Sequence, residues 1–205
     1  MATFLFIRHG LNDFTGKKLI GRLPGIHLNE VGENQAVAIA DYLRDTAITA
    51  IYSSPLERAS ETALPLARQK NLPIIFHEGL SEVDFGKLQG KTSKQLKNMK
   101  IWEIVHNTPT QVQFPGGETL IQSQQRVVSF IEEISPGYGE KDIIACFSHS
   151  DIVRLMLANY LCIPMDIFHR LTIDTGSITT LRHSAKGIRV LGMNHVISNN
   201  HHNPE

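Results

Sequence analysis

Apolar and polar positions follow two different periods along this chain. Residues 4–7 form an unbroken apolar run, the pattern of a strand covered on both faces, and residues 143–147 form a second. After a Gly-rich loop, Asn29 can cap a helix whose Ala36, Ile39, Ala40 and Leu43 recur on one side. Residues 49–52 read as a short strand. Ser54-Pro55-Leu56-Glu57 then carries three helix-start signals, with Ser at the N-cap, Pro at the first helical position and Glu at the third. Leu56, Ala59, Ala63, Leu66 and Ala67 supply that helix's buried stripe. Residues 73–76 read as another strand. Residues 92–135 have helical spacing, interrupted at Phe114-Pro115-Gly116-Gly117, and 151–161 a helix behind the second buried strand. Residues 177–181 and 188–191 bracket Lys186-Gly187 as a closing hairpin.

Strands and helices that alternate in this way imply an α/β fold: three layers, α/β/α, around a mostly parallel central sheet. Residues 1–193 are expected to form one domain, and the tail 194–205, which loses periodicity, to fray. The length of 205 residues and the 41% hydrophobic content are enough to bury a core and exclude wholesale disorder. Twenty basic residues balance twenty acidic ones, so no long-range field recruits nucleic acid or a membrane surface, and any anion site must be local. Cys146 and Cys162 sit in apolar stretches outside any CxxC pattern and read as buried free thiols. The start of the chain has no basic leader region and no run long enough to span a membrane, so a cytoplasmic location is expected. No HExxH or Cys/His cluster suggests a metal, and no other cofactor is expected; His201-His202 in the tail reads as a solvated end.

In a sheet of this kind ligands bind beyond the carboxyl ends of the strands. There the chain places Arg8-His9-Gly10 after residues 4–7, Ser53-Ser54 and then Arg58 after 49–52, and Ser148-His149-Ser150 after 143–147. Each alone has a plain explanation, as a hydrogen-bonded loop histidine or a solvated arginine. Together they make a concentrated cationic site that a phosphoryl group would satisfy, since guanidinium donors match its oxygens in pairs. A neutral imidazole beside it can act as the nucleophile and carry the phosphoryl group covalently.

The motifs Arg8-His9-Gly10, Ser54-Pro55-Leu56-Glu57-Arg58-Ala59-Ser60-Glu61-Thr62, Glu82-Val83-Asp84-Phe85-Gly86 and Ser148-His149, in this order, resemble those of the histidine phosphatase superfamily, in its phosphoglycerate-mutase-like branch. Pro115-Gly116-Gly117-Glu118 and the loop Gly21-Arg22-Leu23-Pro24-Gly25 extend the likeness over nearly the whole chain. The resemblance implies His9 as the nucleophile that becomes phosphohistidine, and Arg8, Arg58 and His149 as the clamp on the phosphoryl oxygens. It implies Glu82 as the acid that protonates the leaving oxygen and later activates water. It also implies that Gly21 and Arg22 line the substrate mouth and that Ser150 offers its backbone N–H to the phosphate. Leu11-Asn12 replaces the usual Glu-Thr or Gln-Thr, and Thr15 stands where an Asn often contacts phosphate, so that hydrogen bond falls to Asn12 or Thr15.

Asp84-Phe85-Gly86 lacks the rest of a kinase, and Gly86-Lys87-Leu88-Gln89-Gly90-Lys91-Thr92 has three residues between its glycines where a phosphate loop needs four. The remaining reading is a phosphomonoesterase acting on a phosphorylated small molecule. The alternatives are a phosphoglycerate-type phosphomutase or a non-catalytic binder of phosphorylated ligands. Lys87, Lys91, Lys94, Lys97 and Lys100 are spaced as the solvated face of one helix, backed by Leu96, Ile101 and Val105, and no arginine lies between Arg68 and Arg126 to hold a second phosphate. Trp102, His106 and Phe114 either cap the pocket or belong to the core. Nothing in the sequence sets the oligomeric state.

Overall fold

The computed structural model describes residues 2–185 and 187–197. Six strands form one mixed sheet in the order β3-β2-β4-β1-β5-β6. β1 (Thr3–Arg8), β2 (Ile48–Ser53), β3 (Ile74–Phe76) and β4 (Ile143–Ser148) run parallel. β5 (Ser177–Ser184) runs antiparallel to β1, and β6 (Gly187–Val196) antiparallel to β5. The α/β expectation with a mostly parallel centre therefore holds, with an antiparallel hairpin on one flank.

β1 and β4 are the central pair, buried on both faces as their apolar runs require. Their alternating side chains feed two cores. Leu5, Ile7, Ala145 and Phe147 pack with Ile39 of α1 (Glu30–Tyr42) and Leu66 of α2 (Glu57–Lys70). Phe4, Phe6, Ile144 and Cys146 face Val127 and Phe130 of α5 (Leu120–Ile134) and Leu155 and Met156 of α6 (Ser150–Tyr160). Helices cover both faces, which makes the three layers.

Asn29 caps α1, its side chain accepting from Gly32 N, as the spacing predicts. Other expectations need correction. α2 starts at Glu57 with Leu56 at its N-cap; the Ser54 hydroxyl accepts from Leu56 N ahead of the helix and also meets a distant histidine described below. The lysine-rich segment is not one helix. It breaks into α3 (Ser93–Lys97) and α4 (Lys100–Asn107), while Lys87 lies in a short 3-10 turn, Gly86–Leu88, and Lys91 in a loop. Asn194 to Val196 do not fray but continue β6, where Val196 pairs with Ser177 and His195 with Ile178. Residues 198–205, with His201-His202 and the rest of the expected tail, lie outside the described residues, as does Lys186. Cys146 is buried, but Cys162 is exposed, because the chain turns there in the left-handed region (φ 53°) just beyond α6.

Candidate active site

The register of the central strands sets Arg8 opposite Ser148. His9 N donates to Ser148 O at 3.0 Å, so both histidines leave the sheet at one level. Their rings stand 5.2 Å apart at 59°. The loop carrying His9 is held tightly. Gly10 N donates to Thr62 Oγ1 (2.9 Å), Thr62 Oγ1 donates to Arg58 O (2.6 Å), and Leu11 N donates to Gln35 Oε1 (2.8 Å). Gly10 sits so close to α1 that a Cβ there would lie 2.6 Å from Gly32 O.

A carbonyl oxygen only accepts, so the 2.8 Å contact of His9 Nδ1 with Gly10 O places the ring proton on Nδ1. The Nε2 lone pair is left for the cleft. Burial holds the imidazole well below its usual range, and the Arg58 and Arg8 charges push it further down. The ring is therefore neutral, the form that can attack phosphorus.

Arg58 is fully buried. Its Nη2 donates to Gly21 O (2.7 Å) and to His149 Nδ1 (3.1 Å). Because a guanidinium only donates, His149 carries its proton on Nε2 and gives it to Ser54 Oγ at 2.9 Å. Burial lowers Arg58 to about 10 and outweighs the support of Glu82 and Glu57. Arg8 is lowered too, by burial first, and its Nη1 donates to Ile173 O at 2.6 Å.

Arg58 Nε and Nη1, Arg8 Nε, Asn12 Nδ2 and Thr15 Oγ1 are all buried without a protein partner; they are five of the nine such side-chain atoms among the described residues. Unpaired buried donors are costly and uncommon. Four of the five, on Arg8, Thr15 and Arg58, belong to residues of one cleft and point to a ligand rich in acceptor oxygens; Asn12, whose Oδ1 accepts from Phe14 N and folds the side chain onto its own loop, does not line that cleft.

Glu82 closes the opposite side. It is 7% exposed, and its Oε1 accepts from Val83 N at 3.0 Å. Burial and then the nearby Asp151 raise its carboxyl to about 7, so near neutrality it retains a proton to give. Arg8, His9, Arg58 and Glu82 line one cleft of about 130 Å³ with Thr15, Lys18, Gly21, Phe85, Ser150 and Asp151. Two larger grooves, around Tyr42 and Leu191 and around Leu64 and Phe76, touch none of these groups.

Most of the expected residues thus converge, with three qualifications. Arg22 does not line the cleft: its Nε donates to Glu82 O (2.7 Å) and its Nη2 to Glu118 Oε1 (2.9 Å). Both His149 nitrogens are engaged within the protein. Phe114 belongs to the core, its ring 5.0 Å from Phe85, and neither Trp102 nor His106 lines the cleft. The sequence reading missed Ser54 as partner of His149, and Thr62, which was legible as the residue one helical turn after Arg58. Among the described residues no group of three or more His, Cys, Asp or Glu could hold a metal, and no helix is long and apolar enough to cross a membrane.

Residues 4–196 match the sequence profile of the histidine phosphatase superfamily (branch 1). The chain is 27% identical over 202 residues to phosphoserine phosphatase 1 of Hydrogenobacter thermophilus, across 95% of this chain and 92% of that protein. It is 33% identical over 163 residues to the metal-independent phosphoserine phosphatase of Arabidopsis thaliana, across 75% of this chain and 66% of that one. It spans about half the length of a bifunctional protein of Mycobacterium tuberculosis, to which it is 30% identical over 187 residues. In fold it is similar to a mycobacterial glucosyl-3-phosphoglycerate phosphatase solved with VO3, with a TM-score of 0.85 and 24% identity across 95% of this chain and all of that one.

Proposed function

The chain belongs to the histidine phosphatase superfamily, branch 1, and from that premise we propose that it is a metal-independent phosphomonoesterase working through a phosphohistidine on His9. One observation carries the reading: the free Nε2 of a neutral His9 shares a cleft with the unpaired donors of Arg8 and Arg58 and with a protonated Glu82.

In the first step His9 Nε2 attacks phosphorus, and the bond to the ester oxygen breaks as Glu82 gives that oxygen its proton. The alcohol leaves, and the phosphoryl group stays on His9. In the second step the Glu82 carboxylate takes a proton from water, whose oxygen attacks phosphorus. Inorganic phosphate departs, leaving His9 neutral and Glu82 protonated again. Arg8 Nε and Arg58 Nε and Nη1 bind the phosphoryl oxygens in both steps, where negative charge builds up. Thr15 Oγ1, which lines the cleft, fills the place of a more usual partner. His149 keeps Arg58 aimed, and exchanges its bond to Ser54 for a phosphoryl oxygen. Ser150 offers the N-terminus of α6.

Water rather than a second substrate hydroxyl is the acceptor. None of Lys87, Lys91, Lys94, Lys97 and Lys100 lines the cleft, so the second phosphate of a mutase intermediate has no arginine or lysine cluster to hold it. Lys18 is the one cationic side chain lining the cleft beyond the clamp, its Nζ 5.0 Å from the centre of the Phe14 ring. With so small a cleft, this suits a small phosphate ester that carries a carboxylate, in keeping with two relatives named phosphoserine phosphatases. The test incubates the protein with 3-phosphoglycerate and a trace of 2,3-bisphosphoglycerate, and with O-phosphoserine. Phosphate release without isomerisation is expected. Efficient isomerisation would make it a mutase, and no turnover of any ester would make it a binding protein.

A further inference from the structure

Glu82 is held by its side chain through one hydrogen bond, to Val83 N, so the aim of its carboxyl follows the backbone at 82–83. That backbone is not left to itself. Arg22 Nε donates to Glu82 O at 2.7 Å, and Arg126 Nη2 reaches the same oxygen at 3.4 Å. Arg126 Nη1 also donates to Glu78 O (2.7 Å) and Ser81 O (2.8 Å), so one guanidinium secures the segment leading to the acid.

Two arginines meeting at one carbonyl repel each other, and Glu118 answers both. Its Oε1 accepts from Arg22 Nη2 (2.9 Å), from Arg126 Nη2 (2.8 Å) and from Asp84 N (3.0 Å). Glu118 N in turn donates to Asp84 O at 3.0 Å. This approach requires glycine on both loops. A Cβ on Gly117 would lie 2.2 Å from Asp84 O, and one on Gly86, whose φ is +51°, 2.3 Å from Pro115 O. The motif Pro115-Gly116-Gly117-Glu118 is thus built to press a carboxylate against the loop that carries the acid.

We propose that Glu118 is the positioning residue of the proton donor, acting through Arg22 and Arg126 to fix the backbone from which Glu82 reaches the leaving oxygen. The inference rests on Glu82 being the acid. Arg22, Glu118 and Arg126 have partly exposed side chains (30%, 16% and 20%), so replacing Glu118 by Gln keeps the volume and the bond from Asp84 N while removing the charge. Arg22 and Arg126 then spread apart and release Glu82 O.

The experiment compares Glu118→Gln, Glu82→Gln and the double variant on an alkyl phosphate, such as O-phosphoserine, and on p-nitrophenyl phosphate, whose leaving group needs little protonation. For Glu118→Gln, kcat on the alkyl ester is expected to fall about tenfold and on the aryl ester about twofold, with little change in KM; the double variant should be no worse on the alkyl ester than Glu82→Gln alone. Arg22→Gln, which removes one of the two bonds to Glu82 O, should show the same selectivity at smaller size. Equal losses on both esters, or losses that multiply in the double variant, would overturn the proposal while leaving Glu82 the acid. If Glu82→Gln itself shows no preference for the better leaving group, the acid assignment fails, and the positioning role with it.

Discussion

Arg58 and His149 share a hydrogen bond, Nη2 to Nδ1 at 3.1 Å, in which a fully buried cation leans on a neutral ring. Among the described residues no carboxylate forms an ion pair with Arg58. The protein keeps this charge, with two donors unpaired, at a cost in stability that an oxyanion bound as proposed would offset.

Binding should therefore stabilise the fold measurably. Vanadate at a hundred times its Kd is expected to add about 2.7 kcal/mol, read as a rise in melting temperature. Arg58→Met should lose most of that rise, and EDTA should not affect it. A full rise in the variant would remove Arg58 from the clamp.

His9→Ala should fold and release no phosphate. With labelled substrate, the unaltered protein should form an acid-labile phosphoenzyme and the variant none. Label of the same lability on the variant would place the nucleophile elsewhere.

The raised carboxyl of Glu82 gives two pH dependences. In catalysis, kcat/KM on an alkyl phosphate should fall above about pH 7 as the acid loses its proton, and Glu82→Gln should lack that limb. In stability, the folded protein holds this proton more tightly than the unfolded chain. The contribution is complete below pH 4.5 and is lost as pH rises through about 7. His9 and His149 act in the opposite direction: both are lowered, so their contribution is present above pH 6.5 and is lost as pH falls below it. Denaturant midpoints of Glu82→Gln and the unaltered protein at pH 4.5 and pH 8 separate the two. A difference that does not grow towards pH 8 would contradict the raised carboxyl.

Gly10→Ala drives a methyl against the Gly32 backbone, which cannot yield as a flexible side chain would. The expected loss is about 2 kcal/mol, with reduced activity as the His9 loop shifts. Gly137→Ala, with nothing within 4 Å of its added carbon, should stay within about 0.5 kcal/mol. Similar losses at both positions would show that the close approach of α1 is unimportant.

What the sequence revealed follows the range of the interactions involved. The Asn29 cap, the two buried strands and the convergence of Arg8, His9, Arg58 and His149 were legible because period, capping and strand ends are local signals or follow from the fold class. Ser54 was misread as a cap because a cap and a partner for His149, 95 residues away, look alike in one dimension. The five lysines kept a helical spacing that the chain does not use, because it turns between α3 and α4. Arg22 was assigned to the mouth, and only the meeting of two distant loops shows its guanidinium turned towards Glu118.

The pairing of β1 with β4 has a consequence in time. Arg8 and Ser148 face each other across one rung of the sheet, although about two-thirds of the chain separates them. His9, Arg58 and Glu82 are made well before Ser150 and Asp151, so a nascent chain carries the proposed nucleophile through the synthesis of everything between β1 and β4 before its cleft can close. Catalytic competence should arrive abruptly when that rung closes, and in refolding it should lag behind the helical signal of α1 and α2, whose contacts are local. Enzymatic activity would then mark the closing of β1 on β4.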